Sequence, residues 1–308
     1  MKSKLINFPE NIRDDILSLE HNGGVLVPNH VANVCEKLEI SMEKLMLMLL
    51  PVASSFAQPV ISNYFVGAVA KGSKVNTKGY YALYLGANFE FSGQSLSHTI
   101  HAEQSVISNA WLQGETHVDA IATAAKPCGH CRQFLYEIET GNDLNIIIPV
   151  TENNTDEILV TKLSALLPQS FGPKDLGVDD FLMNSQSQSL SLNDPSKDPL
   201  VLKALQAASL AHAPYTKNYA GCVIELTDGS YFEGRYAENA AFNPSLSPLL
   251  SAYSNLVFHH KNVTENPIKR VILVERKSKI SQRDATQSVL NILSSGLKVE
   301  YFQAEVKE

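Results

Sequence analysis

Two short segments, His101-Ala-Glu103 and Pro127-Cys-Gly-His-Cys131, carry five side chains of metal-ligating type, and together they leave few ways to fold. Successive helical residues turn by roughly 100°, so positions i and i+2 point about 200° apart. His101 and Glu103 can therefore share a site only at the first turn of a helix, where both can lean over its open end. Cys128 and Cys131 stand at i and i+3 and share a helix face, again in a first turn. Between the segments lies an apolar stripe, Ala102, Val106, Ile107, Ala110 and Trp111, with Gly114 able to end the helix. The apolar run from Val118 to Ala125 follows and reads as a buried strand. The pattern thus predicts two helix N-termini converging on one edge of a sheet. Their positive ends favour thiolates.

The flanking sequence extends this scaffold. Phe65 to Gly72 reads as a strand ending in a turn, and Tyr80 to Ala87 as its hairpin partner. Pro127 sits where a second helix would begin, with Phe134, Leu135 and Ile138 as its apolar face. Leu144 to Val150 reads as another buried strand. The order β-β-α-β-α-β points to an α/β sheet covered by helices. Upstream, Ser41 could cap a helix carrying Leu45 and Leu49 that Pro51 would end. Residues 183–198, rich in Ser, Gln, Asn and Asp, read as a linker or exposed loop. Beyond them the scaffold repeats. Ala220 to Leu226 resembles the first strand, Asp228-Gly229 is a hairpin turn, and Tyr231 to Asn239 resembles the second strand. Laying Asn239 on Asn88 gives an offset of 151, which puts Phe242 on Phe91, Ala252 on His101 and Ser254 on Glu103. No second Pro-Cys-x-x-Cys follows, so the second copy is expected to hold no metal.

One imidazole and two thiolates suit Zn²⁺, and three protein ligands leave a fourth position for water. Glu103 is then spare as a ligand and free to carry protons. A closed structural site would need a fourth protein ligand. His130, between the cysteines, is expected to point away, and His98 to lie on the surface. A redox Cys-x-x-Cys would leave His101-Ala-Glu103 without a use. Arg132 reads either as a donor to a thiolate or as a solvated helix residue. The net charge of −7 and the lack of a basic stripe argue against a nucleic-acid partner and favour a small neutral substrate. Four cysteines, Cys35 and Cys222 among them isolated in apolar surroundings, do not make a disulfide framework. No secretory signal is legible, and the longest strongly apolar run, Leu45 to Leu50, is too short to span a bilayer. A cytoplasmic setting with no membrane partner is expected.

A His-x-Glu followed by Pro-Cys-x-x-Cys is the signature of zinc nucleobase deaminases. The chain resembles the cytidine deaminases, in particular their long homodimeric bacterial type. The resemblance runs through Ser62-Asn-Tyr-Phe-Val-Gly-Ala68, Gly86-Ala-Asn-Phe-Glu-Phe91, Thr99-Ile-His-Ala-Glu-Gln104, Pro127-Cys-Gly-His-Cys-Arg-Gln133, Phe171-Gly-Pro-Lys-Asp-Leu176 and Tyr236-Ala-Glu-Asn-Ala-Ala-Phe-Asn243. It implies a duplicated three-layer α/β/α fold with a small N-terminal helical segment. The implied parts are a helical segment 1–46, a catalytic zinc domain 47–168, a linker 169–192 and a degenerate, non-catalytic domain 193–308. It implies one Zn²⁺ per chain on His101, Cys128 and Cys131, with zinc-bound hydroxide attacking C4 of cytidine or deoxycytidine while Glu103 shuttles protons. Uridine or deoxyuridine and ammonia result, in pyrimidine salvage. Asn88 and Glu90 would hydrogen-bond the ribose 3′-hydroxyl, although without the resemblance the residues favour a strand end capped by Asn88 with Glu90 solvated. Tyr64 would pack on the pyrimidine, or else serve as a core tyrosine. Phe89 and Ala102 join the implied substrate set, and Phe171 would reach into the partner subunit of a homodimer. Two departures stand out: Lys74 to Lys78 lengthens the hairpin turn, and Ala124-Ala-Lys126 replaces a commoner Tyr-Thr beside the pyrimidine. An enzyme of the same superfamily acting on a nucleotide or an RNA base, and a non-catalytic zinc-stabilised module, are the competing readings.

Overall fold

A computed structural model describes residues 8–151, 154–184, 186–260 and 266–307. The chain divides into two compact units, Met1–Glu90 with Ile100–Ser170, and Phe91–Thr99 with Phe171–Glu308. In the first unit, β1 (Val25–Leu26), β2 (Gly67–Val75), β3 (Tyr81–Ala87), β4 (Val118–Thr123), β5 (Asn145–Thr151) and β6 (Asn154–Lys162) form one sheet in the order β1-β3-β2-β4-β5-β6. Only β4 and β5 pair in parallel. Its helices are α1 (Arg13–His21), α2 (Pro28–Leu38), α3 (Met42–Ser54), α4 (Ala102–Leu112), α5 (Gly129–Leu135) and the short α6 (Leu163–Leu166).

Two glycines show why the sheet is covered on both sides. A Cβ on Gly67 would collide with the α3 backbone at Leu50 and Ser54, and one on Gly86 with the α4 backbone at Ala102 and Val106. Gly67 pairs with Ala87, and Ala68 with Gly86. Adjacent strand residues face opposite sides. So α3 and α4 lie on opposite faces of the sheet, at a spacing only glycine permits, and the layers run α/β/α.

The second unit repeats this arrangement. Its strands β7 (Leu190–Leu192), β8 (Ala220–Leu226), β9 (Tyr231–Arg235), β10 (Ile268–Arg276) and β11 (Val299–Val306) are ordered β7-β11-β10-β8-β9, with β10 and β11 parallel. Its helices are α7 (Pro199–Ser209), α8 (Pro248–His259) and α9 (Arg283–Leu293). Gly221 meets α7 and Gly234 meets α8 as Gly67 and Gly86 meet α3 and α4.

Several expectations need correction. The helix capped by Ser41, whose Oγ accepts from Lys44 N–H, runs through Pro51 to Ser54. Pro51 stands in the last turn, so little of the helix lies beyond it. The cost of about 3 kcal/mol is offset by burial of Leu45, Met46, Leu49, Leu50, Val52 and Ala53. The segment expected to be a linker contains β7, which pairs with β11. The first strand starts at Gly67 rather than Phe65, because the Asn88 side chain takes up Val66 N–H and Tyr64 C=O. The strand also runs on past Gly72, through a shift in its pairing, to Val75.

The longer hairpin turn docks on α2. Asn76 donates to Pro28 C=O and to Asn29, and Lys78 pairs with Glu36. Glu115 anchors its base. The carboxylate accepts from Ser73 N–H (2.9 Å), the Ser73 hydroxyl, Lys74 N–H (3.2 Å) and Tyr84 OH (2.7 Å). Burial alone would raise the Glu115 carboxyl, but these donors hold it below its ordinary value. A depressed folded pKa stabilises above the unfolded carboxylate range, and that contribution disappears as pH falls through the folded value. Glu115→Gln is expected to cost about 3 kcal/mol in urea unfolding at pH 7, and that cost should shrink as pH falls below about 4, where the parent's own carboxylate contribution fades. A midpoint unchanged at pH 7 would contradict this anchor.

Candidate zinc and proton-transfer site

His101 is the N-cap of α4 and Cys128 the N-cap of α5, both in extended backbone. The first turns of the two helices therefore bring together what the sequence keeps 27 residues apart. His101 N–H donates to the Gln104 side chain at 3.1 Å, which fixes the start of α4. Thr123 Oγ1 donates to Ala125 C=O at 2.7 Å, and Arg132 Nε to Pro127 C=O at 2.8 Å. Arg132 Nη1 also reaches Leu166 C=O. Arg132 is thus neither a thiolate donor nor solvated; it ties the cysteine turn to the end of α6.

His101 Nδ1 lies 3.6 Å from Cys128 Sγ and 3.3 Å from Cys131 Sγ, and the two sulfurs are 3.6 Å apart. Tetrahedral zinc, with bonds of about 2.0–2.1 Å to nitrogen and 2.3 Å to sulfur, requires about 3.6 Å and 3.8 Å for these separations. The triad fits zinc. It is the sole group of its kind among the described residues. The thiol of Cys131 and the N–H groups around it hold Cys128 down to about 4. The neighbouring Cys128 sulfur and burial push Cys131 up. Two thiolates here cancel the charge of a divalent ion.

Glu103, in the same first turn, is only 7% exposed. Burial raises its carboxyl, against hydrogen bonds from its own backbone and the Cys131 side chain. His130, expected to point away, does not. Its ring packs 5.1 Å from the His101 ring, centroid to centroid, tilted by 31°. It lies outside the ligating triad. His98 is half-buried and bonded to Gln94.

The implied substrate residues separate into groups. Asn88 does cap the strand end. Glu90 is not solvated: Oε2 accepts from Ile61 N–H and Ser62 N–H, both at 2.8 Å, and Oε1 from the Ser62 hydroxyl at 2.6 Å. Burial would raise this carboxyl, but these bonds and His101 lower it below its usual range. Tyr64 is no core residue; it is 60% exposed beside Phe65. Phe89 is fully buried, so its side chain offers nothing to a ligand. Ala102 is also buried, and what it can offer is its backbone N–H at the open end of α4. Phe171 belongs to the second unit and is exposed. Ala124, Ala125 and Lys126, the unusual segment leading into Cys128, line a cleft of about 380 Å³ with Ile148, Pro149, Val150 and Leu159.

Among the described residues the second unit has no counterpart to the triad, and its register is not the one that the sequence suggested. Gly234 occupies the place of Gly86, and Ser247, the N-cap of α8, that of His101. The offsets are 234 − 86 = 148 at the strand and 247 − 101 = 146 at the helix. Ser247 and Leu249 therefore stand where His101 and Glu103 do, not Ala252 and Ser254. The Ser247 hydroxyl caps α8 in the ordinary way, accepting from Leu250 N–H. Past β10, Glu275 takes over the organising role. It accepts from Ser281 Oγ, Gln282 N–H, Asn218 Nδ2 and Tyr301 OH.

A duplicated α/β/α sheet with a His/Cys/Cys triad and a buried adjacent glutamate defines a zinc-binding deaminase. Family models described as "Cytidine and deoxycytidylate deaminase zinc-binding region" match residues 40–143 and 163–287. The chain is 40% identical over 294 residues to the cytidine deaminase of Shewanella oneidensis, and 39% to that of Shewanella loihica, covering 94% of each chain in both cases. It belongs to the cytidine deaminase family. A solved cytidine deaminase from Mycobacterium leprae, 28% identical, covers 41% of this chain and 94% of its own, with a TM-score of 0.30.

Proposed function

We propose that the protein hydrolytically deaminates cytidine and deoxycytidine to uridine and deoxyuridine, releasing ammonia. The observation that carries this is the buried Glu103 carboxyl against the Cys131 sulfur, beside the triad yet not of it. His101, Cys128 and Cys131 would hold Zn²⁺. When bound, the ion supplies Lewis acidity that makes a water nucleophilic near neutral pH. Glu103 would carry one proton from the attacking water to the pyrimidine ring nitrogen, and then a second, from the hydroxyl added at C4, to the departing amine as the C4–N bond breaks and the C4 carbonyl forms. A carboxyl raised by burial is well matched to both halves of this transfer. Asn88 and Glu90 are the sugar-facing residues and Tyr64 the base-facing one. Glu90, an ionised carboxylate, favours a neutral hydroxyl over a phosphate, as does the net charge of −7.

The active form is a homodimer. Val60, Ile61, Tyr64 and Phe65 form an exposed apolar loop next to the site, and Cys128 is exposed. A water-excluding site needs a cover over such a loop, and a second copy contributing Phe171 would supply it. No described helix is long and apolar enough to cross a membrane. A cytoplasmic role in pyrimidine salvage accords with that.

Ammonia release from purified protein given cytidine, CMP or a short RNA tests the activity. Turnover of cytidine alone is expected, and turnover confined to CMP or RNA would overturn the reading. Light scattering tests the assembly, with about 68 kDa expected from chains of 33.8 kDa.

A further inference from the structure

The turn around Glu90 is built twice in this chain. In the first unit, Ile61 and Ser62 N–H donate to Glu90 Oε2, Tyr64 N–H donates to Ser62 Oγ at 3.1 Å, and Asn63 has φ +56°. In the second, Tyr215 and Thr216 N–H donate to Glu238 Oε2 at 2.9 and 3.0 Å, Asn218 N–H donates to Thr216 Oγ1 at 3.2 Å, and Lys217 has φ +58°. The turns match position for position. In the bonds made to the carboxylate they differ in one. The Ser62 hydroxyl donates to Glu90 Oε1 at 2.6 Å, whereas Glu238 Oε1 has no hydrogen-bond partner among the described residues.

The second unit makes the same turn without that bond, so the turn does not require it. The bond is present in the unit that has the triad. There the carboxylate is half-buried; in the second unit it is 1% exposed. Because Ser62 Oγ accepts from Tyr64 N–H, its own proton is directed at Glu90. One serine thereby links the exposed Tyr64 to the carboxylate.

We propose that Ser62 is a positioning residue for substrate recognition, its hydroxyl fixing Glu90 Oε1 in place to accept a hydrogen bond from a ribose hydroxyl. This rests on the nucleoside-deaminase reading of the site. The low pKa direction of Glu90 agrees with it, since the serine donor favours the charged carboxylate.

Steady-state kinetics of Ser62→Ala and Ser62→Thr on cytidine and 3′-deoxycytidine test the proposal. Ser62→Ala is expected to raise KM for cytidine about tenfold, the loss expected for one hydrogen bond to a charged group, with kcat within about twofold. With 3′-deoxycytidine, which lacks the hydroxyl that Glu90 would receive, the same substitution should change KM less than about twofold. Ser62→Thr, which keeps a hydroxyl on the Cβ beside Glu90, should return KM for cytidine close to the parent value. Equal rises in KM for both substrates, or a fall in kcat with KM unchanged, would overturn the proposal and leave Ser62 as a loop support. If Ser62→Ala does not fold, Ser62→Thr against Ser62→Val makes the same comparison. A parent enzyme inactive on cytidine overturns the deaminase reading itself; an active parent that Ser62→Ala matches overturns this inference alone.

Discussion

Glu103→Ala will lower kcat/KM on cytidine by about 10³- to 10⁴-fold while zinc content stays near one ion per chain. The argument is one of position. Glu103 is in the same helical turn as His101, yet the atoms that converge on the metal position are His101 Nδ1, Cys128 Sγ and Cys131 Sγ. Removing the carboxyl leaves all three in place. It removes the group that moves protons between water, ring nitrogen and amine, which is a transition-state role, so kcat should fall and KM change little. Glu103→Gln keeps the volume and one acceptor oxygen but cannot take up and release a proton, and should fall as far as alanine. A variant that keeps more than a tenth of parental turnover would move proton transfer to another residue. Loss of zinc in Glu103→Ala would instead make Glu103 a support of the ligand shell.

Much of this site is legible in the sequence because its geometry is local. An N-cap histidine with a glutamate two positions on, and an N-cap cysteine with a second three positions on, can meet only where two helices begin. The register of the repeat was less legible. Matching Asn239 to Asn88 is attractive because both follow a strand and precede a phenylalanine. The structure instead aligns Gly221 with Gly67 at 221 − 67 = 154, and the offset falls to 148 after the hairpin and 146 at the helix. The first hairpin is thus six residues longer, its extra length taken up by the turn that Glu115 and Asn76 hold. No single offset can follow a duplication that has changed length in its turns. What persists is close backbone approach: Gly67, Gly86, Gly221 and Gly234 keep their places because any Cβ there would strike a helix. The role of Glu90 was hidden for another reason. Its bonds are to backbone 28 and 29 residues away, and no periodicity reports such contacts.

The same comparison shows what stands in the second unit where the triad stands in the first. In the first unit, a triad drawn from two helix N-termini holds the turn after β4. In the second, a serine caps α8 and Glu275 gathers the turn after β10 through four donors. A buried carboxylate with its acceptor sites filled is stable without an ion. Nothing in that arrangement can activate water, because its oxygens are already committed.

Cys131→Ala should therefore abolish zinc binding and turnover together, whereas Ser247→Ala, the change at the position equivalent to His101, should alter neither. Cys131 is fully buried in the first turn of α5 and supplies one of three protein ligands. Two remaining ligands, one of them the exposed Cys128, cannot hold a catalytic ion against dilution. Metal content is expected to drop from about one ion per chain to near zero, and activity with it. Stability will follow. An ion bound at a free concentration of a thousand times its Kd contributes about 4 kcal/mol to the folded state, so Cys131→Ala and chelator-treated parent should unfold at similarly reduced urea concentrations. Adding chelator to Cys131→Ala should then change nothing further. Two zinc ions per parental chain, or zinc loss in Ser247→Ala, would mean that the second unit binds metal after all, and would overturn the assignment of a single active site to each chain.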